Sequence, residues 1–133
     1  MRRMTFLVVE DSPAMRQLIG FALKRFPDCR ILQAVDGADA LRTMAYEPID
    51  VLITDINMPI MDGLKLVKVV RGNPAMADLP IIIVTTEGAD ADRERGMKLG
   101  ADAYVAKPME AGDLVRTVNE VLKRKAAARP SVP

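Results

Sequence analysis

Glu10, Asp11, Asp55, Thr85, Thr86 and Lys107 carry the side chains of this chain best suited to chemistry, and each follows or closes a short apolar run. Glu10 and Asp11 come after FLVV, Asp55 after VLIT, the threonines after PIIIV, and Lys107, with Pro108 behind it, after AYVA. If those runs are neighbouring parallel strands, the polar groups open on the carboxyl edge of one sheet, where α/β folds bind ligands. Carboxylates ~4 Å apart repel by about 4 kcal/mol per pair at an effective dielectric of ~20, so something cationic must sit among them. Lys107 offsets part of the charge. An oxygen-only ligand set with room for water suits a hard divalent ion such as Mg²⁺, held by one or two carboxylates and substrate phosphate. Beside such an ion an Asp carboxylate is a competent nucleophile toward a phosphoryl group and yields an aspartyl phosphate. Phosphoryl transfer asks mainly for positioning and charge stabilisation, so the ion, the Lys107 ammonium and the Thr85 hydroxyl complete the inventory. Asp55 is the expected centre because it follows the middle buried strand. Taken singly, each acid or threonine reads equally as a helix cap or turn residue; their coincidence on one edge argues for a site.

The elements that must position these groups are legible as apolar runs alternating with helix-period segments. Strands are expected over residues 4–9, 30–35, 49–54, 80–85 and 103–106, and runs that are apolar at consecutive positions need cover on both faces. The clearest helix starts at Ser12-Pro13, a cap followed by Pro at the first helical position, and carries Met15, Leu18, Ile19, Ala22, Leu23 and Phe26 as one stripe. Residues 37–46, 63–70, 90–99 and 110–125 supply four more helices, the last with Leu114, Val118, Val121 and Leu122 on one face. Asp36-Gly37, Asp62-Gly63, Gly72-Asn73-Pro74 and Leu99-Gly100 read as turns or helix ends. The order is βα five times, an α/β fold with a five-stranded parallel sheet. After Lys123 the apolar period lapses, so a domain over 1–123 is expected to end in a basic flexible tail over 124–133.

Composition sets the outer bounds. A length of 133 residues with 50% hydrophobic and 28% charged content fits one domain. Lys and Arg number 19 against 18 Asp and Glu, and a net charge of +1 gives no electrostatic case for direct DNA binding or a membrane surface. The absence of histidine excludes a Ser-His-Asp triad, a zincin helix or an imidazole phosphocarrier, so any histidine chemistry comes from a partner. The single cysteine, Cys29, cannot form an internal disulfide and fits a reducing compartment. The apolar run at Phe6–Val9 is stopped by Glu10-Asp11, too short for a signal peptide core or a membrane span. A cytoplasmic protein without membrane insertion is expected.

The blocks FLVVEDSPAMR, TDINMPIMDGLKLVKVVR, PIIIVTTEG and GADAYVAKP, in that order and spacing, resemble the receiver domain of two-component response regulators, and within it the stand-alone CheY-like chemotaxis type. The resemblance spans about residues 4–123. It implies a doubly wound sheet of strand order 2-1-3-4-5 and Asp55 as the phosphoryl acceptor. It further implies Mg²⁺ held by Asp11 directly, by Glu10 through water, by Asp55 and by the main-chain carbonyl of Asn57. Thr85 matches the hydroxyl that swings toward the phosphoryl group, Tyr104 the aromatic that moves inward with it, and Lys107 the lysine that pairs with the phosphoryl oxygens. Asn57 and Glu87 match the flanking positions that tune phosphoryl lifetime. Glu10 stands where many members have Asp, and its longer arm is expected still to reach the metal through water. Without the resemblance, Tyr104 reads as a plain strand aromatic and Lys107 as a solvated charge.

The implied partners are a CheA-like sensor histidine kinase as phosphodonor and an output protein such as the flagellar motor switch protein, read through residues 90–123, with a phosphatase as a further partner. A monomeric signalling switch is expected, an enzyme only toward its own phosphoryl group. A phosphorelay intermediate or phosphate sink is the near alternative. A haloacid-dehalogenase-like phosphohydrolase also uses a strand-end Asp and Mg²⁺, but it wants a second Asp two residues on, where Asn57 stands, and this length leaves no room for its cap domain. A third reading is a docking module whose acidic pocket performs no chemistry.

Overall fold

The computed structural model describes residues 3–86, 90–107 and 110–128. Strands β1 (Thr5–Val9), β2 (Arg30–Ala34), β3 (Val51–Thr54), β4 (Ile81–Thr86) and β5 (Ala103–Lys107) form one parallel sheet in the order β2-β1-β3-β4-β5. Helices α1 (Pro13–Leu23), α2 (Gly37–Tyr46), α3 (Gly63–Gly72), α4 (Asp90–Leu99) and α5 (Ala111–Ala128) alternate with them. Successive strand side chains point to opposite faces. Phe6, Val8, Ile53, Ile82 and Val84 therefore pack under Ile19 and Leu23 of α1 and Leu114 and Val118 of α5. Leu7, Val9, Leu52, Ile81 and Ile83 pack under Leu66, Val67 and Val70 of α3 on the other face. Burial on both faces is why the central strands β1, β3 and β4 carry consecutive apolar residues. None of the described helices is long and apolar enough to cross a membrane.

Three helices start at the carboxyl edge on side-chain caps. Ser12, Asp36 and Asp62 accept from the backbone N–H groups of Met15 (3.3 Å), Asp39 (2.8 Å) and Lys65 (2.8 Å). These caps fix where the chain turns back from strand to helix, and so where the intervening loops converge.

The element boundaries differ from the sequence-based ones where tertiary partners decide. The third strand starts at Val51 rather than at 49, because Asp50 meets Thr5 through its carboxylate, which accepts from the Thr5 N–H at 2.7 Å. The fifth strand takes in Lys107, paired with Thr86 of β4. The Gly72-Asn73-Pro74 turn ends α3 and opens one turn of 3₁₀ helix, Pro74–Met76, capped by Asn73. The last helix runs to Ala128, five residues into the stretch expected as a tail from 124, and residues 129–133 lie outside the described ones. Arg124 donates to the Asp102 carbonyl (2.9 Å), Lys125 pairs with the Asp102 carboxylate (3.1 Å), and Ala126–Ala128 favour helix.

Asp102 also closes the amino edge of the sheet. Its carboxylate accepts from Arg71 Nη2 (2.9 Å) and the Ile81 N–H (2.9 Å), while Arg71 donates further to the carbonyls of Gly100 (2.8 Å) and Leu79 (2.6 Å). Both side chains are mostly buried, so Arg71→Met takes the donor from two carbonyls and leaves the Asp102 carboxylate with Lys125 as its remaining cation among the described residues. The expected loss is about 3 kcal/mol, read as a lower urea midpoint.

Candidate functional site

Parallel pairing of β1 with β3 sets Val9 beside Thr54, so the residues that follow, Glu10 and Asp55, leave the sheet side by side. The ladder continues one bond beyond the strands: the Glu10 N–H donates to the Ala34 carbonyl and the Asp55 N–H to the Val9 carbonyl, both at 3.0 Å. One carboxylate oxygen each from Glu10, Asp11 and Asp55 lies within 4.8 Å of the others. Glu10 is buried to 1% exposure and Asp55 to 8%, whereas Asp11 faces solvent.

Lys107 enters this cluster from the end of β5. Its Nζ lies 2.5 Å from Glu10 Oε1 and 3.3 Å from Asp55 Oδ2. The Ser12 N–H donates to Glu10 Oε2 (3.2 Å) and the Ile56 N–H to Asp55 Oδ1 (2.8 Å). Burial pushes the Glu10 carboxyl above its ordinary range, although the Lys107 bond and the Ser12 N–H pull the other way. For Lys107 burial alone acts downward, but its bond to Glu10 and the charges of Asp55 and Glu10 together hold the ammonium above an ordinary lysine. The two directions are compatible: Glu10 is the more deeply buried partner, and Lys107 answers to two carboxylates.

Thr85, at the end of β4, is fully buried, and its Oγ1 finds no hydrogen-bond partner among the described residues. An unmade hydroxyl bond in a closed environment costs on the order of 1–3 kcal/mol. Tyr104 of β5 is half-buried, with the Arg93 guanidinium of α4 5.2 Å from its ring centre, a cation–π contact. Asn57 is exposed two residues beyond Asp55. Glu87 and Pro108 lie outside the described residues, and of Thr86 only the backbone is described.

The loop from β3 to α3 carries two backbone features that composition does not show. Gly63 donates to the Ile56 carbonyl (2.9 Å), and a Cβ there would lie 1.9 Å from the Asp55 carbonyl oxygen. The close approach of α3 to the end of β3 therefore requires glycine. Ile60 has φ +68° and is 87% exposed, a left-handed conformation for a β-branched residue that gains nothing by burial. That conformation costs an L-residue roughly 1–2 kcal/mol, and Asn tolerates it better. Ile60→Asn is expected to raise stability by about 1 kcal/mol, seen as a higher urea midpoint at unchanged slope.

The structure thus brings Glu10, Asp11, Asp55, Thr85 and Lys107 to one edge, as their positions after apolar runs predict. Arg16 was not anticipated: its Nη1 donates to the Glu10 carbonyl (2.8 Å) and the Asp11 carbonyl (3.4 Å). Its only signal in sequence is its place in the second turn after the Ser12 cap, from which a helical side chain leans back toward the amino end. A cleft of ≈ 440 Å³ beside Met44, Ile49, Met76 and Leu79 sits at the amino edge and shares none of these residues.

The donor set fits a hard divalent cation: oxygen ligands only, three carboxylates in one cluster, and one ammonium that leaves their charge incompletely balanced. The response regulator receiver domain model matches residues 6–119. A chemotaxis protein CheY homolog of Campylobacter jejuni is 42% identical over 120 residues, covering 90% of this chain and 92% of that protein. The structure of the chemotaxis response regulator CheY4 of Vibrio cholerae superposes with a TM-score of 0.82 at 32% identity, covering 90% of this chain and 99% of that one. A Francisella response regulator receiver domain gives a TM-score of 0.80 at 29% identity, covering 92% and 98%. The carboxylate cluster occupies the carboxyl edge of a fold these proteins share, and the chain belongs to the response regulator receiver domain family, among the CheY homologs, as a signalling switch rather than a conventional enzyme.

Proposed function

We propose that this protein is a chemotaxis response regulator, a switch thrown by Mg²⁺-dependent phosphorylation of Asp55. The observation that carries the reading is the Glu10, Asp11 and Asp55 cluster with Lys107 inside it. A sensor histidine kinase of the CheA type is the donor: an Asp55 oxygen attacks phosphorus, the P–N bond breaks, and its electron pair returns to the donor's imidazole, which takes up a proton. The Ile56 N–H on Oδ1 fixes the plane of the acceptor carboxylate. Asp11, Asp55 and the Asn57 carbonyl would hold Mg²⁺, with Glu10 acting through water, and the ion supplies neutralisation of the phosphoryl oxygens when bound.

Lys107 supplies a second positive charge to those oxygens, and the Thr85 hydroxyl, unpartnered among the described residues, a donor once they are in place. Its movement leaves room for Tyr104 to turn inward, and the surface of α4, β5 and α5 changes with it. Asn57 and Glu87 flank the acceptor and set how long the acyl phosphate survives. The working unit is the receiver domain, including the end of α5 that Arg124 and Lys125 tie to Asp102; it acts as a cytoplasmic monomer on the flagellar motor switch protein, and a phosphatase resets it. Phosphotransfer from an autophosphorylated chemotaxis kinase, followed by binding to purified switch protein, tests this. Label moving to Asp55 with tighter switch binding supports it. Label passing on from Asp55 to a second histidine, with no switch binding, makes the protein a phosphorelay intermediate instead.

A further inference from the structure

We propose that Arg16 is a positioning residue for the acidic pocket: its guanidinium clamps two successive carbonyls so that the Glu10 and Asp11 carboxylates face the cation site. The inference rests on the Mg²⁺-dependent reading of that pocket. Three carboxylates converge where β1 gives way to α1, and their mutual repulsion favours any turn of the connecting peptides that swings them apart. The Glu10 side chain is held against this by Lys107 and the Ser12 N–H. Asp11 is exposed, and the orientation of its own peptide sets where its side chain leaves the backbone.

Arg16 acts on that peptide through its carbonyl oxygen. Its backbone N–H closes the first turn of α1 on the Ser12 carbonyl at 2.9 Å, which sets the side chain's origin. Its Nη1 then reaches the Glu10 carbonyl at 2.8 Å and the Asp11 carbonyl at 3.4 Å. One planar donor group across consecutive carbonyls fixes both peptide planes, and with them the directions in which the two side chains leave the backbone. Lysine, a compact ammonium on a flexible four-carbon stem, reaches the two carbonyls with less preorganisation and can replace this only in part.

Groups that orient metal ligands from behind change metal affinity by roughly 10–100-fold when removed. Calorimetric titration of the full chain with Mg²⁺ is therefore expected to give a Kd at least about tenfold higher for Arg16→Met than for the parent, with Arg16→Lys between them. Phosphoryl acceptance from acetyl phosphate should stay close to the parent rate once Mg²⁺ saturates, because the reacting groups are unchanged. A purely structural role would instead lower the thermal midpoint without Mg²⁺ and leave Kd alone. Equal Kd values for the Met variant and the parent overturn the proposal. Should the Met variant fail to fold, Arg16→Lys decides: a raised Kd supports the clamp, and an unchanged one overturns it. A parent that binds no Mg²⁺ overturns the cation reading itself and the clamp with it.

Discussion

Asp55→Asn is expected to abolish phosphoryl acceptance while the fold persists. Asparagine keeps the shape and an oxygen to accept the Ile56 N–H, so the bond at 2.8 Å that anchors the side chain survives. What disappears is the anionic nucleophile: an amide oxygen carries no charge to attack phosphorus and gives no stable acyl phosphate. Removing one of three clustered carboxylates also relieves repulsion, so the variant should unfold at no lower urea concentration than the parent. With labelled acetyl phosphate and Mg²⁺ the parent should incorporate label, and the variant none above background. Equal labelling of both would move the acceptor elsewhere in the cluster and break the account at its centre.

Gly63→Ala is expected to be the most damaging conservative change outside the carboxylates. The added methyl would stand 1.9 Å from the Asp55 carbonyl oxygen, 2.9 Å from its carbonyl carbon and 3.0 Å from Ile56 Cα, and all three are backbone atoms. No rotamer change relieves such a contact; either the start of α3 lifts or the end of β3 shifts. Overpacking of this kind costs about 3 kcal/mol or more, and here the displaced atoms belong to the acceptor residue, so phosphorylation should slow as stability falls. Gly20→Ala is the matched control. A Cβ at Gly20 meets nothing within 4 Å, and the residue lies inside α1, so the same substitution should stabilise by ~0.5–1 kcal/mol. Urea unfolding of the two variants should give shifts of opposite sign, and parallel shifts would mean that the close approach at Gly63 is not limiting.

The fold was legible because burial on both faces leaves a plain mark: β1, β3 and β4 read as unbroken apolar runs, and Ser12-Pro13, Asp36 and Asp62 announce the helices between them. The site was legible for a related reason. A parallel sheet delivers whatever follows its strands to one edge, so Glu10, Asp55, Thr85 and Lys107 could be grouped without knowing a single distance. The rest depends on approaches between residues far apart in sequence. Lys107 joins β5 because Thr86 pairs with it, and α5 continues to Ala128 because Asp102 holds Arg124 and Lys125. Gly63 looks like an ordinary helix start until Asp55 is seen against it. Ile60 gives no hint of a left-handed backbone, since a β-branched residue argues against one. Arg16 and Arg71 look like solvated charges until their carbonyl partners are in place.

The central claim is that the cluster at the carboxyl edge makes Asp55 a Mg²⁺-dependent phosphoryl acceptor. Its most direct test is the intact mass of the chain after brief incubation with acetyl phosphate, with and without Mg²⁺, followed by fragmentation to locate any adduct. The account predicts the gain of a single phosphoryl group, dependent on Mg²⁺ and confined to Asp55. No gain under either condition, with a beryllofluoride adduct also absent, or a gain located on another residue, would contradict it.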